Sequence, residues 1–411
     1  MSHNYERELN NFKDLMGFYS GRLLSRPLIP PEHVYFSLTN RCCLKCVMCD
    51  IHKSPGKNEN ELSTEKVNEI VSQVNGLGVK HIIFSGGEPL LRHDLPQIIE
   101  FAIKSGIKMV DIITNGILLD EAIIKKLIGL RLNHITVSLD GLKETNNQIR
   151  GKGAFEKSAS NIDILNFYKK KLNSFFPTLG INFTIMDKNI LDIPAIIEFA
   201  RSKQCNVIVF QPVLFNNTRM HENKQNDLWP REDNIRKLEK LIEDLILLKN
   251  SSGDIFIYTD TSILRSLPRY FRGRSIGGDF KCYEAIKRIV ITYEGQVWSC
   301  MGIYGDLRKE LLRDIWTSKN AAAVRSKVKK CSRHCLQDCV FFPSDISSIV
   351  QNLLNSGEST ARGDAFKIID DYVHVLSSHK EKNPLKIFER ANFNSQLKKI
   401  ISIRDSLSRP V

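Results

Sequence analysis

The sequence predicts an α/β fold built on a parallel sheet. Six short runs rich in Val, Ile, Phe and Thr recur between residues 33 and 213, with amphipathic segments between them. Most are apolar almost throughout, as strands covered on both faces are. Strand and helix alternating in this way require parallel pairing with right-handed crossovers. Polar residues collect at the C-terminal ends of five runs, the edge where parallel α/β folds build their sites. An open doubly wound sheet and a partial barrel both fit.

Residues 1–30 carry mixed charges and read as a helical extension. The first run, HVYFSLTN (33–40), ends on Thr39-Asn40. STEKVNEIVSQVNGLG (63–78) is the first crossover helix, stopped at glycine. Its capping box starts at Ser63, with the register open between Glu65 and Lys66. HIIFSGGE (81–88) ends on Ser85, Gly86, Gly87 and Glu88, and the helix DLPQIIEFAIKSG (94–106) follows. KMVDIITNG (108–116) ends on Thr114-Asn115, and HITVSLDG (134–141) on Ser138 and Asp140. GINFTIMD (180–187), the helix IPAIIEFARSK (193–203) and NVIVFQPV (206–213), with Gln211, complete the series. From 217 to 280 the pattern loosens into a polar loop and one amphipathic helix, DNIRKLEKLIEDLILLKNSSG, closed by a Ser-Ser-Gly breaker.

At 411 residues, 42% hydrophobic and 26% charged, the composition is that of an ordinary soluble protein. No stretch reaches the ~18 uninterrupted apolar residues of a membrane span. The N-terminus has no signal-peptide run, so the cytoplasm is the expected compartment. There thiols stay reduced, and clustered cysteines bind metal or do chemistry rather than form bridges. The net charge of +13 is scattered. Short clusters such as YKKKLN (168–173) and RSKVKKCSRHC (325–335) are not a long stripe with interleaved aromatics and read as solvated surface, not a nucleic-acid footprint.

TNRCCLKCVMCD (39–50) holds four of the ten cysteines. Cys43, Cys46 and Cys49 open a ferredoxin-type run, but Lys53 stands where its fourth cysteine belongs. Cys42, Cys46 and Cys49 are spaced C-x3-C-x2-C, and a [4Fe–4S] cluster held by three thiolates keeps one iron open, as a catalytic zinc keeps one position open. Cys43 is then expected to be a small buried hydrophobe, and Cys205 core. A zinc-binding, nucleic-acid-associated protein is the alternative, disfavoured because zinc knuckles come in pairs.

The second spacing resembles the signature of the radical S-adenosylmethionine (radical SAM) superfamily, C-x3-C-x-Φ-C after the first strand, with Met48 at Φ where an aromatic is commoner. SGGEPLL (85–91) looks like the GGEP motif of that family, and ITNG (113–116), SLDG (138–141) and IRG (149–151) follow in order. The resemblance covers roughly residues 31–216 and implies a partial (β/α)6 TIM-like barrel. It implies that Cys42, Cys46 and Cys49 hold a [4Fe–4S] cluster whose open iron chelates S-adenosylmethionine. Met48 would lie against the adenine, and Gly86 and Gly87 would admit the methionine amino group with Glu88 beside it. Asn115, Ser138 and Asp140 would lie near the ribose, and Arg150 near the carboxylate. Reductive cleavage would give a 5′-deoxyadenosyl radical that takes a hydrogen atom from the substrate. A flavodoxin or ferredoxin would supply the electron. Substrates in such families are peptides and protein side chains, or sugars and aminocyclitols. The roughly 30 residues before the first strand are too few for a fused leader-peptide module.

In CYEAIKRIVITYEGQVWSC, two apolar runs flank Glu294-Gly295, a hairpin that would return Cys300 toward Cys282. CSRHCLQDC adds Cys331, Cys335 and Cys339. GDLRKELLRDIW between them resembles the linker of SPASM and twitch domains, which implies a second, auxiliary [4Fe–4S] cluster with four of these five cysteines as ligands. The expected organisation is thus a helical extension (1–30), a radical SAM core (31–216), a connecting segment (217–280), an α+β auxiliary-cluster domain (281–342) and a basic helical extension (343–411).

Overall fold

The structure, a computed structural model, describes residues 2–53, 60–214, 228–251, 255–273, 280–333, 335–337, 341–343, 367–371 and 374. The first elements are α1 (Ser2–Leu24), β1 (His33–Thr39), α2 (Thr64–Gly76), β2 (His81–Gly86), α3 (Leu95–Lys104), β3 (Met109–Thr114), α4 (Glu121–Gly129) and β4 (His134–Ser138). Then come α5 (Lys143–Arg150), α6 (Ala154–Lys171), β5 (Thr178–Ile185), α7 (Ile193–Ser202), β6 (Val207–Pro212), α8 (Glu232–Asn250), β7 (Phe256–Ile257) and α9 (Thr261–Phe271). The C-terminal part holds β8 (Phe280–Cys282), β9 (Arg288–Ile291), β10 (Gln296–Ser299), β11 (Gly302–Asp306), α10 (Leu312–Thr317), α11 (Lys319–Lys329) and β12 (Phe341–Pro343).

All six predicted strands form, pair in parallel and follow one another in space, as a partial TIM-like barrel requires. Two additions extend the sheet to the order β11-β10-β9-β1-β2-β3-β4-β5-β6-β7. The connecting segment contributes β7, parallel to β6. The cysteine-rich unit contributes β9, which runs parallel to β1 from His33↔Arg288 to Phe36↔Ile291. The C-terminal unit is therefore hydrogen-bonded edge to edge onto the core, with only β8 and β12 in a sheet of their own.

The strands alternate more than their apolar sequences suggest. Val34, Phe36, Leu38, Ile82, Phe84, Val110, Ile112, Ile135, Val137, Ile181, Phe183, Ile208 and Phe210 are wholly buried on one face of the sheet. On the other face Tyr35, Ser37, Ser138, Asn182 and Gln211 are only half-buried and Ser85 is buried, which is the lining of an unclosed barrel. Cys205 lies in the core.

Local signals settle several boundaries. Ser63 caps α2 by accepting from the Lys66 backbone N–H at 3.2 Å, so the third helical position is Lys66 and no Glu completes a capping box. Asp120 caps α4 through Ile123 N–H. In the β9–β10 hairpin, Gly295 N–H donates to Thr292 O and Thr292 N–H to Gln296 O, both at 2.9 Å. Only Gly295 needs the left-handed region (φ +84°), which is why Glu-Gly serves in this three-residue loop. Among the described residues no helix is long and apolar enough to cross a membrane. The extension expected at 343–411 lies almost wholly outside the described residues.

Candidate active site

The site is built where the end of β2 is pressed onto the end of β1. Gly87 N–H donates to Thr39 O and Glu88 N–H to Arg41 O, each at 2.7 Å. A Cβ on Gly86 would stand 2.2 Å from Thr39 O, and one on Gly87 2.0 Å from Arg41 O. The sequence reading gave these glycines the task of admitting a ligand; on their Cβ side the space is already filled by the cysteine loop. Their absent side chains let two strand ends touch. The loop base is further pinned by Glu61, which takes the Arg41 guanidinium bidentately at 2.9 and 3.1 Å and also accepts from the Thr39 hydroxyl. Arg92 ties Leu38 O and Leu62 O to Asp94.

This clamp presents the loop 42–49. Val47 N–H donates to Ile149 O at 2.9 Å, so the loop also rests on the last turn of α5. Cys46 is buried, Cys42 and Cys49 half-buried. The Cys42 thiol is drawn down to about 6, first by its hydrogen bond with Cys43 and then by the Leu44 N–H and Asn115. Burial pushes Cys46 up to about 11 and Cys49 upward. Cys46 senses both Cys42 and Cys49, Cys49 senses Cys42, and the charge of Arg150 opposes the rise at both Cys46 and Cys49. Cys43, expected to be buried, is exposed and accepts from Asn115 Nδ2 at 3.3 Å. Met48 is partly buried against the core.

Glu88 is fully buried. Its Oε2 accepts from Asn115 N–H at 2.8 Å, and its Oε1 from Thr114 Oγ1 at 2.7 Å and Leu90 N–H at 3.1 Å. The carboxylate thus holds the β3 end, and through it Asn115, against the cysteine loop. Burial raises its pKa from 4.5 to about 7. The folded state therefore holds this proton more tightly than the unfolded chain. Wild-type stability is expected to fall as pH rises from 4.5 through about 7. Glu88→Gln should lose that slope, and by setting an amide donor against one of these N–H or O–H donors it should cost about 1–3 kcal/mol. Denaturant titrations of both proteins at pH 5 and pH 8 measure the difference; equal slopes would mean that Glu88 does not titrate in this window.

Asp140, expected near a ribose, is also fully buried. Its Oδ1 accepts from Thr184 N–H at 2.7 Å, and its Oδ2 makes a close ion pair with Arg150 Nη2 at 2.7 Å. Asn146 and Asn189 hold its backbone N–H and carbonyl. Arg150 is itself buried, and its Nε has no hydrogen-bond partner, a donor left over for a ligand. Ser138 stays half-buried on the open face beside Asn182.

A second thiol group forms at the other sheet edge. Cys282 ends β8, Cys300 follows β10, and Cys331 and Cys335 follow α11. The Cys282 thiol senses Cys300 and Cys335, and Cys335 senses Cys300 and Cys331. Burial pushes Cys300 up to about 11 and Cys335 to about 12. Cys339 lies outside the described residues. Among the described residues no three His, Cys, Asp or Glu side chains converge on one point as a single ion requires; a multi-iron cluster spreads its thiolates around a larger core. Three soft donors at one site and four at the other fit iron–sulfur chemistry.

A family model of the radical SAM superfamily matches residues 36–193, and the SPASM model, an iron–sulfur cluster-binding domain, matches 282–340. A "Probable GTP 3′,8-cyclase" of Methanococcus maripaludis (strain C7) is 31% identical over 301 residues, 72% of this chain and 92% of that protein. The chain belongs to the radical SAM superfamily. Its SPASM match places it with the members that carry auxiliary iron–sulfur clusters, and these matches displace the zinc-protein alternative. The "Fe-coproporphyrin III synthase" of Methanosarcina barkeri is 37% identical over 183 residues, 44% of each chain. A "Probable GTP 3′,8-cyclase" of Methanocaldococcus jannaschii is matched over 53% of its length, so the chain spans about half of these two relatives. Among solved structures, Streptococcus suis SuiB bound to S-adenosylmethionine matches with a TM-score of 0.57 at 14% identity, over 75% of this chain and 70% of that one. Native anSMEcpe with bound AdoMet matches at 0.55 and 18% identity, over 73% and 83%. These two show the shared fold.

In this radical SAM enzyme Cys42, Cys46 and Cys49 follow β1, Gly86 ends β2 with Gly87 and Glu88 next, Asn115 follows β3, Asp140 follows β4 and Arg150 ends α5. Glu61, Arg41, Arg92 and Asn189 escaped the sequence reading. Each works through a backbone group or a partner brought close only by folding, so no spacing announces it.

Proposed function

We propose that this radical SAM enzyme holds its S-adenosylmethionine-cleaving [4Fe–4S] cluster on Cys42, Cys46 and Cys49, an auxiliary [4Fe–4S] cluster on four of Cys282, Cys300, Cys331, Cys335 and Cys339, and acts on a peptide or protein side chain. The observation that carries the first assignment is that Cys42, Cys46 and Cys49 lie on one loop beside Arg150, clamped where Gly86 and Gly87 meet Thr39 and Arg41, with Cys42 felt by both other thiols. When bound, the cluster and S-adenosylmethionine supply a 5′-deoxyadenosyl radical. The chain's own residues bind and exclude. Arg150, oriented by Asp140, offers its free Nε to a carboxylate. Asn115, oriented by Glu88, offers its amide near the loop. A low-potential one-electron donor of the flavodoxin or ferredoxin class supplies the electron.

The substrate reading rests on charge. From Tyr35 to Gln211 the open face of β1–β6 carries Ser37, Ser85, Thr136, Ser138, Asn182 and Gln211 and, among the described residues, no lysine or arginine. Asn182 Oδ1 is buried with no partner. A triphosphate or a polycarboxylate needs cationic partners, whereas amide and hydroxyl groups suit a polypeptide backbone. Anaerobic turnover with a peptide mixture should raise 5′-deoxyadenosine above background and change a peptide mass. Stimulation by GTP and not by peptides would overturn the substrate assignment.

The ligand sets are tested by iron counting. The Cys42→Ala/Cys46→Ala/Cys49→Ala protein should retain roughly four irons per chain, one thiolate-held cubane. A colourless protein with one zinc and no iron would end the auxiliary-cluster assignment.

A further inference from the structure

We propose that Arg22, in the last turn of α1, is a positioning residue of the auxiliary cluster, and that the N-terminal helix is thereby part of that site. The inference rests on the auxiliary ligand set proposed above. Arg22 Nε donates to Cys282 O at 2.8 Å, and Nη2 of the same guanidinium donates to Lys329 O at 3.1 Å. Cys282 is one candidate ligand, and Lys329 stands two residues before another, Cys331. The guanidinium carbon also lies 5.6 Å from the ring centroid of Tyr283, the buried neighbour of Cys282. One side chain thus grips both chain segments that deliver thiols from opposite ends of the C-terminal unit.

The contact is reciprocal. Lys329 Nζ donates to Leu23 O at 2.8 Å. α1 and α11 meet at their C-terminal ends, where carbonyls lack helical partners and carry partial negative charge. Each end is capped by a cation from the other helix. Arg22 alone does more than cap. Its planar fork presents donors at fixed angles and can bridge two carbonyls at once, which a single ammonium does not reproduce. At the facing segment, Arg333 Nη1 donates to Cys300 O at 2.8 Å, so two ligand-bearing residues have a guanidinium on the carbonyl. A cation held there favours the reduced, more negative state of a bound cluster and fixes the geometry of its thiolates.

The test uses the Cys42/Cys46/Cys49 triple alanine protein, in which only the auxiliary cluster remains, with Arg22→Met, Arg22→Lys or Lys329→Met added. With Arg22→Met, iron release to a chelator should speed by roughly tenfold or more, as loss of a charge-assisted hydrogen bond implies. Its reduction potential should fall, and the paramagnetic resonance spectrum of the reduced cluster should change. Arg22→Lys keeps the charge without the fork and should lie between. Lys329→Met removes the cap on Leu23 and leaves the Lys329 carbonyl to Arg22, so it should lower the thermal midpoint and leave potential and spectrum as in the parent. Equal shifts from Arg22→Met and Lys329→Met would reduce Arg22 to helix docking and overturn the proposal. So would an Arg22→Met protein with unchanged release, potential and spectrum. If Arg22→Met does not fold, Arg22→Lys decides: a potential and release rate equal to the parent overturn the assignment. An iron-free parent protein would instead show that the ligand set itself is wrong, and the role of Arg22 falls with it.

Discussion

Cys46→Ala is expected to abolish formation of 5′-deoxyadenosine from S-adenosylmethionine while leaving the auxiliary cluster in place. Cys46 is the most buried thiol of its loop and senses both Cys42 and Cys49. The loop backbone is held independently of its side chain, by Val47 N–H on Ile149 O and by Cys49 N–H on Cys46 O. Alanine therefore removes a ligand without moving the other two. Two thiolates do not retain a cubane that three were needed to hold, so iron should fall from about eight to about four per chain if both sites carry one cubane. Activity should fall below detection by chromatography of a dithionite-reduced, reconstituted sample. Retained activity in Cys46→Ala, or none in an equally loaded wild type, would refute the ligand assignment.

The second large effect is expected at Asp140. Asp140→Ala should cost about 3–5 kcal/mol of stability, because it strands the buried Arg150 guanidinium without its counter-ion. Asp140 is wholly buried and Arg150 is 8% exposed, so water cannot replace the lost partner. The same change frees Thr184 N–H. Removing both charges in Asp140→Ala/Arg150→Met should recover part of the loss, since an absent pair is milder than a broken one. Denaturant unfolding of the three variants, followed by affinity for S-adenosylmethionine in those that fold, measures both consequences. A cost below about 1 kcal/mol with no recovery in the double variant would place this pair among contacts as weak as surface ones.

Six parallel strands, their crossover helices and the β9–β10 hairpin were legible in the chain because hydrophobic period and turn chemistry are local. The first thiol group was legible for the same reason, since Cys42, Cys46 and Cys49 lie close together in the chain. Faces, partners and joins were not. Cys43 and Cys42 are neighbours in sequence, and only the loop conformation exposes one and gathers the other with Cys46 and Cys49. Gly86 and Gly87 announced a close approach, but the approaching group, the backbone of Thr39 and Arg41, follows from parallel pairing of β1 with β2. Asp140 was legible at its strand end, but its ion pair with Arg150 was not, because folding alone brings the end of α5 against β4. β9 joined the core sheet at β1 although about 250 residues separate them in the chain, a separation at which loop closure grows only logarithmically costly. By itself the sequence determined the six core strands and the family. Tertiary structure alone decided which side chains meet, as when Arg22 reaches Cys282 across 260 positions, because no local pattern encodes a contact whose partners are brought together by the packing of everything between them.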